Sequence, residues 1–426
     1  MRILVYAHAM ELGGSQLNAI QLAGAVRDRG NEVIVLSEPG PLVDRVRSMG
    51  MEHVAIPMNR RRPSLQVTSR LVRLARERRV DVVHGYEWPP IVEAFVGLGL
   101  WRHTPVVGTV MAMSVAPFLP RTVPLSVGTE RIREAALAAG HRRVTLLEPP
   151  VDTETDNPSV DGGKFRAQHR IDPDEVVVAM ICRLVPELKL EGLLATCDAV
   201  ADLALTGHRV RLVIVGDGRS RNDVGERAAR ANVAAGRQVV LLTGEMKDPR
   251  QAYAAADITV GQGGSALRGM AFGKPLVVVG ERGFSEMLTP ATAPIFLKQG
   301  WYGLGPGSLG SGVPALRLAL EPLVSSLALR RELGAFAHQL VVERFSLRQA
   351  AQRQEEEYLQ AARDRIAAGA LAVDVAQCAK GLLRAKLLRK YQRWRGTIAI
   401  DDSNALSVVA EVLAGGRSCI QRDRKF

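Results

Sequence analysis

The chain has 426 residues, 47% of them hydrophobic and 23% charged. That is too long for one ordinary domain and enough apolar material for two cores of roughly 150–200 residues each. Aromatics make up only 4%, which argues against a surface built to stack bases. With no nucleic-acid reader motif either, no nucleic-acid partner is expected. The net charge of +12 suits some polyanion, such as a phosphate ligand or an acidic membrane. Four cysteines, Cys182, Cys197, Cys378 and Cys419, have no metal-ligand spacing and fit reduced thiols in a cytoplasm. The chain opens directly on a strand-like run, so no secretory signal is expected. No window of 18 uninterrupted apolar residues is present, so no membrane-spanning helix is expected either.

Residues 2–7 (RILVYA) predict a first buried strand, followed by a glycine turn at Gly13 and Gly14 and a helix from about Gln16 to Arg29. The turn is not GxGxxG, so a dinucleotide fingerprint is missing. EVIVLS, HVAIP, DVVHG, PVVGTV and PLSVG read as further strands, with helices at 41–49, 64–79, 90–99 and 130–139 between them. Strands alternating with helices predict an open parallel sheet, with ligands beyond the strands' carboxyl ends. His8, Gly13, Gly14, His84, Glu87 and Met111 stand at those ends. From Asp152 to His169 the composition turns polar and reads as a linker. A second series follows: EVVVAMICRL, a helix at 190–206, RLVIVGDG, a helix at 221–235, QVVLLTG and a helix at 249–256. The expected fold is therefore α/β, with doubly wound domains at 1–155 and 170–350 facing across a cleft and a basic helical tail at 356–426. A cleft between domains favours a ligand.

The most informative stretch is 257–279, DITVGQGGSALRGMAFGKPLVVV. It reads as a β-branched strand, a turn with Gly261, Gly263 and Gly264, a helix N-capped by Ser265, a stop at Gly273 and Pro275, and a second buried strand. A strand feeding a glycine turn and a helix N-terminus is suited to an anion, because free N–H groups and the helix dipole converge there. An ordinary tight connection would show the same pattern.

Together with Arg183-Leu-Val-Pro-Glu-Leu-Lys189, VGDG at 215–218, LLTGEMKD at 241–248, EPPVD at 148–152 and the early Gly13-Gly14 turn, this stretch resembles the retaining family-4 glycosyltransferases of the GT-B fold over roughly residues 1–355. The resemblance implies that Arg183 and Lys189 grip the diphosphate of a sugar nucleotide. Arg183 would offer a fork of donors and Lys189 a mobile point charge. It further implies that Gly14 gives the diphosphate room, that Gly264 and Ser265 donate N–H groups to the distal phosphate, and that Gly244, Met246 and Lys247 hold the nucleobase. Gly13, Gly216 and Gly263 fall in the matching glycine turns.

Two departures stand out. The family's paired glutamates, eight positions apart, read Val260 and Arg268 here, and Arg268 cannot accept a hydrogen bond from ribose. It would instead add charge near the diphosphate or pair with another residue. Met111 stands where many relatives carry a histidine that lines the reacting sugar. No metal cluster is visible, so no metal or further cofactor is expected. Leaving-group charge would fall to Arg183, Lys189 and helix amides. By the same resemblance the acceptor hydroxyl attacks from the face that the phosphate leaves, with a phosphate oxygen as base. His84 and Glu87 are the candidates for orienting sugar or acceptor, with Glu281 and Glu286 as further candidates for sugar hydroxyls. For His84, a histidine satisfied at a strand end is the plain alternative.

The reading is a metal-independent, retaining transfer of sugar to a hydroxyl on a glycan, a lipid-linked saccharide or a small metabolite. A sugar-nucleotide epimerase and a binding protein without transferase activity are the rivals. Residues 380–396, KGLLRAKLLRKYQRWRG, contain no acid and place Leu383, Leu387, Tyr391 and Trp394 on one helical face. Such a helix suits an anionic membrane surface, and with it a cytoplasmic, peripheral location. It would equally suit packing on the protein body with its charges in water.

Overall fold

A computed structural model describes residues 1–395 apart from 8, 12, 59, 100–103, 113 and 365–366. His8, Cys419 and the residues after Arg395 lie outside the described residues. The chain forms two compact units. The first takes Met1–Pro150 and the described residues from Leu347 on; the second takes Val151–Ser346.

In the first unit the strands are β1 (Arg2–Ala7), β2 (Glu32–Ser37), β3 (Glu52–Ala55), β4 (Val82–Tyr86), β5 (Val106–Val110), β6 (Leu125–Val127) and β7 (Val144–Leu146). They pair in parallel in the order β3-β2-β1-β4-β5-β6-β7. The connecting helices are α1 (Gly14–Asp28), α2 (Val43–Ser48), α3 (Leu65–Glu77), α4 (Trp88–Ala94), which runs into a π turn at Phe95–Gly99, and α5 (Glu130–Ala138). Ser64 and Thr129 cap α3 and α5 by accepting the N–H of Val67 and Ile132 at 3.4 and 3.3 Å. Alternation along β1 sends Leu4 and Tyr6 into one core layer and Ile3, Val5 and Ala7 into the other. Both faces of the sheet are covered, which is why its strands read as unbroken apolar runs.

The second unit opens with a correction. Residues 152–169 are not a linker: Asp156 and Phe165 are buried, and α6 (Gly163–Gln168) packs on the helix at 250–255. A Cβ on Gly162 would come within 2.3 Å of the Ala255 backbone. The strands are β8 (Val176–Ile181), β9 (Val210–Val215), β10 (Val240–Gly244), β11 (Ile258–Gly261), β12 (Leu276–Val279) and β13 (Ser285–Met287). Their order is β10-β9-β8-β11-β12-β13, parallel except for the antiparallel edge strand β13. The helices are α7 (Pro186–Leu205), α8 (Arg221–Ala235), α9 (Arg250–Ala255), α10 (Gly264–Ala271), α11 (Ala293–Gln299), α12 (Gly312–Ser325) and α13 (Leu327–Arg344).

The chain then returns to the first unit, which the expected boundary at 350 and separate tail from 356 did not foresee. Helix α14 (Leu347–Arg363) lies against α1, β4 and β5 and buries Ala350, Ala351, Tyr358 and Ala361. Helix α15 (Ala368–Arg395) follows, with Leu371 and Cys378 buried in the first unit's core. Asp374 accepts the N–H of Thr122 at 2.6 Å. Gly381 sits so close to Phe118 that a Cβ there would be 2.6 Å from the Phe118 Cβ.

Candidate functional site

In each sheet the strand order reverses between two neighbours, and ligands of open α/β sheets bind beyond that reversal. In the second unit it falls between β8 and β11. The Cys182–Lys189 loop follows one strand and the Gln262–Ser265 turn follows the other. In the first unit it falls between β1 and β4, followed by the Gly13-Gly14 turn and by Glu87.

The loop after β8 is held from below by the turn after β9. Leu184 donates its N–H to Asp217 O at 2.9 Å. Gly216 and Gly218 have φ of 147° and 151°, and a Cβ on them would meet Cys182 O and Leu184 O at 1.9 and 2.3 Å. Gly216 therefore serves close packing of two loops. At the start of α7, Glu187 and Leu188 are non-helical, Leu188 with φ 63°. That unfavourable conformation is gripped from both sides. Glu281 Oε1 accepts the Leu188 N–H at 3.2 Å, and Gln262 Nε2 donates to the Leu188 carbonyl. Glu281 Oε2 in turn accepts the Tyr302 hydroxyl at 2.7 Å.

This clamp sets Lys189 at the point where the helix proper begins. Arg183 is exposed and Lys189 half-buried, and neither forms an ion pair among the described residues. Burial, with Arg183 adding to it, lowers the Lys189 pKa to about 8. Arg183 disfavours the charge on Lys189 across this loop, and although Arg183 also acts on the nearby Glu187 carboxylate, an anion held by both cations would relieve that repulsion.

The turn after β11 completes this locus. Gly263, with φ 58°, is the N-cap of α10, and its own N–H goes to Trp301 O at 2.6 Å. The expected cap at Ser265 is thus corrected by two positions. Because Gly263 lets the backbone turn early, Ser265 is already in the helix and its hydroxyl folds back to Gln262 O at 2.9 Å. The helical ladder starts with Leu267 N–H to Gly263 O at 3.2 Å. The N–H groups of Gly264 and Ser265 precede it in the first turn. Gly264 is exposed and open around its Cα.

Arg268 faces elsewhere. Its Nε and Nη2 bind the two oxygens of buried Asp156 at 2.7 and 2.9 Å, and its guanidinium lies 5.3 Å from the Tyr253 ring centroid. Of the two roles expected for it, pairing is the one observed. Val260 is a core residue of β11. Gly244 takes φ 81° and its carbonyl accepts the Gly216 N–H at 2.9 Å. Met246 packs on the cluster around Phe165 and Val177, and Lys247 is exposed. Glu286 is buried and accepts the Ser308 N–H and hydroxyl at 2.6 and 2.7 Å, so it pins a loop and presents nothing to a sugar.

In the first unit Gly13 caps α1 and Gly14 is exposed. Glu87 adopts φ 66°, ψ 172°, a region almost reserved for glycine. Its Oε1 accepts the Ser15 hydroxyl at 2.9 Å and the Met111 N–H at 3.0 Å. Burial raises its pKa and these hydrogen bonds oppose the rise. The carboxylate thus joins the glycine turn after β1 to the ends of β4 and β5. Asn18, one turn on from Ser15, is buried, and neither of its amide atoms is bonded among the described residues.

His84 is a correction. It is fully buried in β4, its Nδ1 2.6 Å from the Tyr358 hydroxyl and its Nε2 2.7 Å from Thr109 Oγ1. Burial drives its pKa down to about 3. Both ring nitrogens are occupied inside the core, so it meets no sugar. Sequence reasoning missed Gln262, whose role needs the fold of Leu188, and the buried first-unit network of Tyr6, Arg60 and Glu93. There Arg60 donates to the Tyr6 hydroxyl at 2.7 Å, and Glu93 accepts the Ser64 N–H at 2.7 Å. Such networks join residues far apart in sequence and leave no local pattern.

The two units with their reversal-point turns have the architecture of GT-B glycosyltransferases. A sequence profile described as glycosyl transferases group 1 matches residues 175–300, and one described as glycosyltransferase family 4 matches residues 12–145. The chain belongs to these glycosyltransferases and is a glycosyl-transferring enzyme. No curated protein matches it in sequence. Among solved structures, it is similar to a glycosyltransferase from Rickettsia africae ESF-5, with TM-score 0.70 and 16% identity over 85% of this chain and 99% of that one. It is also similar to Anabaena HepE in complex with UDP, with TM-score 0.66 and 18% identity over 84% of this chain and 100% of that one. WaaG, a glycosyltransferase involved in lipopolysaccharide biosynthesis, has TM-score 0.56 and 16% identity over 84% and 99%.

Proposed function

We propose that the enzyme transfers a sugar from a nucleoside diphosphate sugar of the uridine class to a hydroxyl acceptor, with retention and without a metal. The observation that carries this reading is the Arg183–Lys189 couple, neither cation in an ion pair among the described residues, beside the open first turn of α10 where the strand order of the second unit reverses. A pyrophosphate gains negative charge as the glycosidic bond breaks, and fixed donors already aimed at it stabilise that state more than the ground state. The uridine class is supported by the UDP in the HepE structure. The family resemblance supports retention, and two cations in the loop after β8 support balance of the phosphates without a metal.

In this reading Arg183 and Lys189 take the phosphate oxygens, with Gly264 and Ser265 adding backbone donors. Departure of the nucleoside diphosphate leaves an oxocarbenium-like sugar, and the acceptor hydroxyl adds to the same face while passing its proton to a phosphate oxygen. Glu281 acts through the Leu188 clamp, and so positions Lys189. Glu87 is the candidate carboxylate of the first unit for hydroxyl groups. The acceptor class is a glycan, a lipid-linked saccharide or a small metabolite.

The test is slow donor hydrolysis in EDTA, with UDP-sugars followed by proton NMR. The expected result is release of UDP and of a sugar whose first-formed anomer matches the donor. Inverted product would overturn retention, and a strict requirement for added divalent metal would overturn metal independence. Bound UDP with no turnover on any donor or acceptor would favour a binding protein.

A further inference from the structure

Helix α15 has two apolar faces, and the first unit uses only one. Leu371 and Cys378 are buried and Leu382 and Ala385 partly buried against its core. At spacings of four, four and three residues on the opposite side, Leu383, Leu387, Tyr391 and Trp394 are 61%, 60%, 47% and 82% exposed. That is a helical stripe of large side chains with no cover among the described residues. Exposed Lys380, Arg384, Lys386, Lys390 and Arg395 flank it. The Arg395 guanidinium lies 5.0 Å from the Tyr391 ring centroid, and that ring is 6.2 Å from Trp394. No acidic residue occurs between Asp374 and Arg395.

We infer that this face of α15 docks the enzyme on an anionic lipid bilayer, the helix lying in the interface with Leu383, Leu387, Tyr391 and Trp394 among the acyl chains. Charge decides the occupant. A second copy would set one ring of cations against another. An anionic leaflet neutralises the ring while hydrocarbon covers the stripe. Tyrosine and tryptophan suit the depth between head groups and chains. The helix lies on the membrane and does not cross it, since no single described helix is long and apolar enough to span. The inference goes beyond sugar transfer and does not depend on it. Where both hold, an acceptor displayed at the bilayer is favoured over a free metabolite.

The experiment is vesicle flotation of the full chain with phosphatidylcholine alone and with about one-third phosphatidylglycerol added. Wild type should float with the anionic vesicles and stay behind with the neutral ones, and high salt should release it. Lys386→Gln and Lys390→Gln should each weaken partition about fivefold. Leu387→Gln combined with Trp394→Gln should abolish it, while the circular dichroism and UDP titration of all variants match wild type. Absence of wild type from anionic vesicles would overturn the inference. So would variants that float like wild type, or concentration-dependent dimers in sedimentation that Trp394→Gln dissolves.

Discussion

Arg268 and Asp156, 112 positions apart, form a two-pronged ion pair at 2.7 and 2.9 Å where the family resemblance leads one to expect a glutamate. The arginine is therefore part of the frame of the second unit. Asp156 is buried, and loss of its partner would leave an uncompensated charge. Arg268→Ala should destabilise the second unit by about 2–4 kcal/mol, read as a lower urea midpoint. Arg268→Glu, which restores the family's residue, should destabilise more, because two carboxylates would then share the site. The exchange Arg268→Asp with Asp156→Arg should recover part of the loss. Equal midpoints for wild type and Arg268→Glu would contradict this account.

Removing either cation of the loop after β8 should hurt turnover more than folding. Arg183→Ala and Lys189→Ala are each expected to lower kcat by about one to three orders of magnitude, the scale of a lost preorganised contact. Their melting temperatures should stay near wild type, since neither residue has an ion-pair partner to lose among the described residues. Steady-state kinetics with calorimetry on the same preparations checks both halves of the statement.

Lys189 also predicts a pH dependence. Its pKa is lowered to about 8, so above that pH the ammonium gives up its proton and a bound anion would lose a partner. UDP affinity should fall as pH rises from about 7 to about 9. Lys189→Arg should flatten that limb, because a guanidinium stays charged. An affinity that rises over this range would contradict the placement of Lys189 at the phosphates.

His84 gives a separate signature. It stays neutral in the fold, with a pKa near 3 against an ordinary 6.5. Between those values the unfolded chain binds a proton that the native protein does not. Stability should therefore drop by about 1.4 kcal/mol per pH unit as pH falls below about 6.5. His84→Gln should lose this contribution while keeping its kcat/KM at neutral pH, which denaturant titrations from neutral pH downwards would show.

The doubly wound units were legible because buried parallel strands are unbroken apolar runs. Ile3 to Ala7 and Leu276 to Val279 announce themselves. The edge strand β13 did not, because Ser285-Glu286-Met287 is a polar run whose glutamate is buried only through Ser308, 22 positions later. The glycine turns after β1 and β11 could be read because glycines act locally. The partners that fix them could not: Glu281 is 93 positions from Leu188 and Gln262 is 74. The return of α14 to the first unit was also hidden. Tyr358 gives no sign in sequence that its hydroxyl will meet His84, 274 positions away.

The most direct test is calorimetric titration of UDP and of UMP, in EDTA, into wild type and Arg183→Ala. If the loop after β8 and the first turn of α10 hold a diphosphate, UDP should bind wild type at least about tenfold more tightly than UMP, and Arg183→Ala should erase most of that difference. Equal affinities for UDP and UMP, or a UDP affinity unchanged in Arg183→Ala, would contradict the assignment of this site.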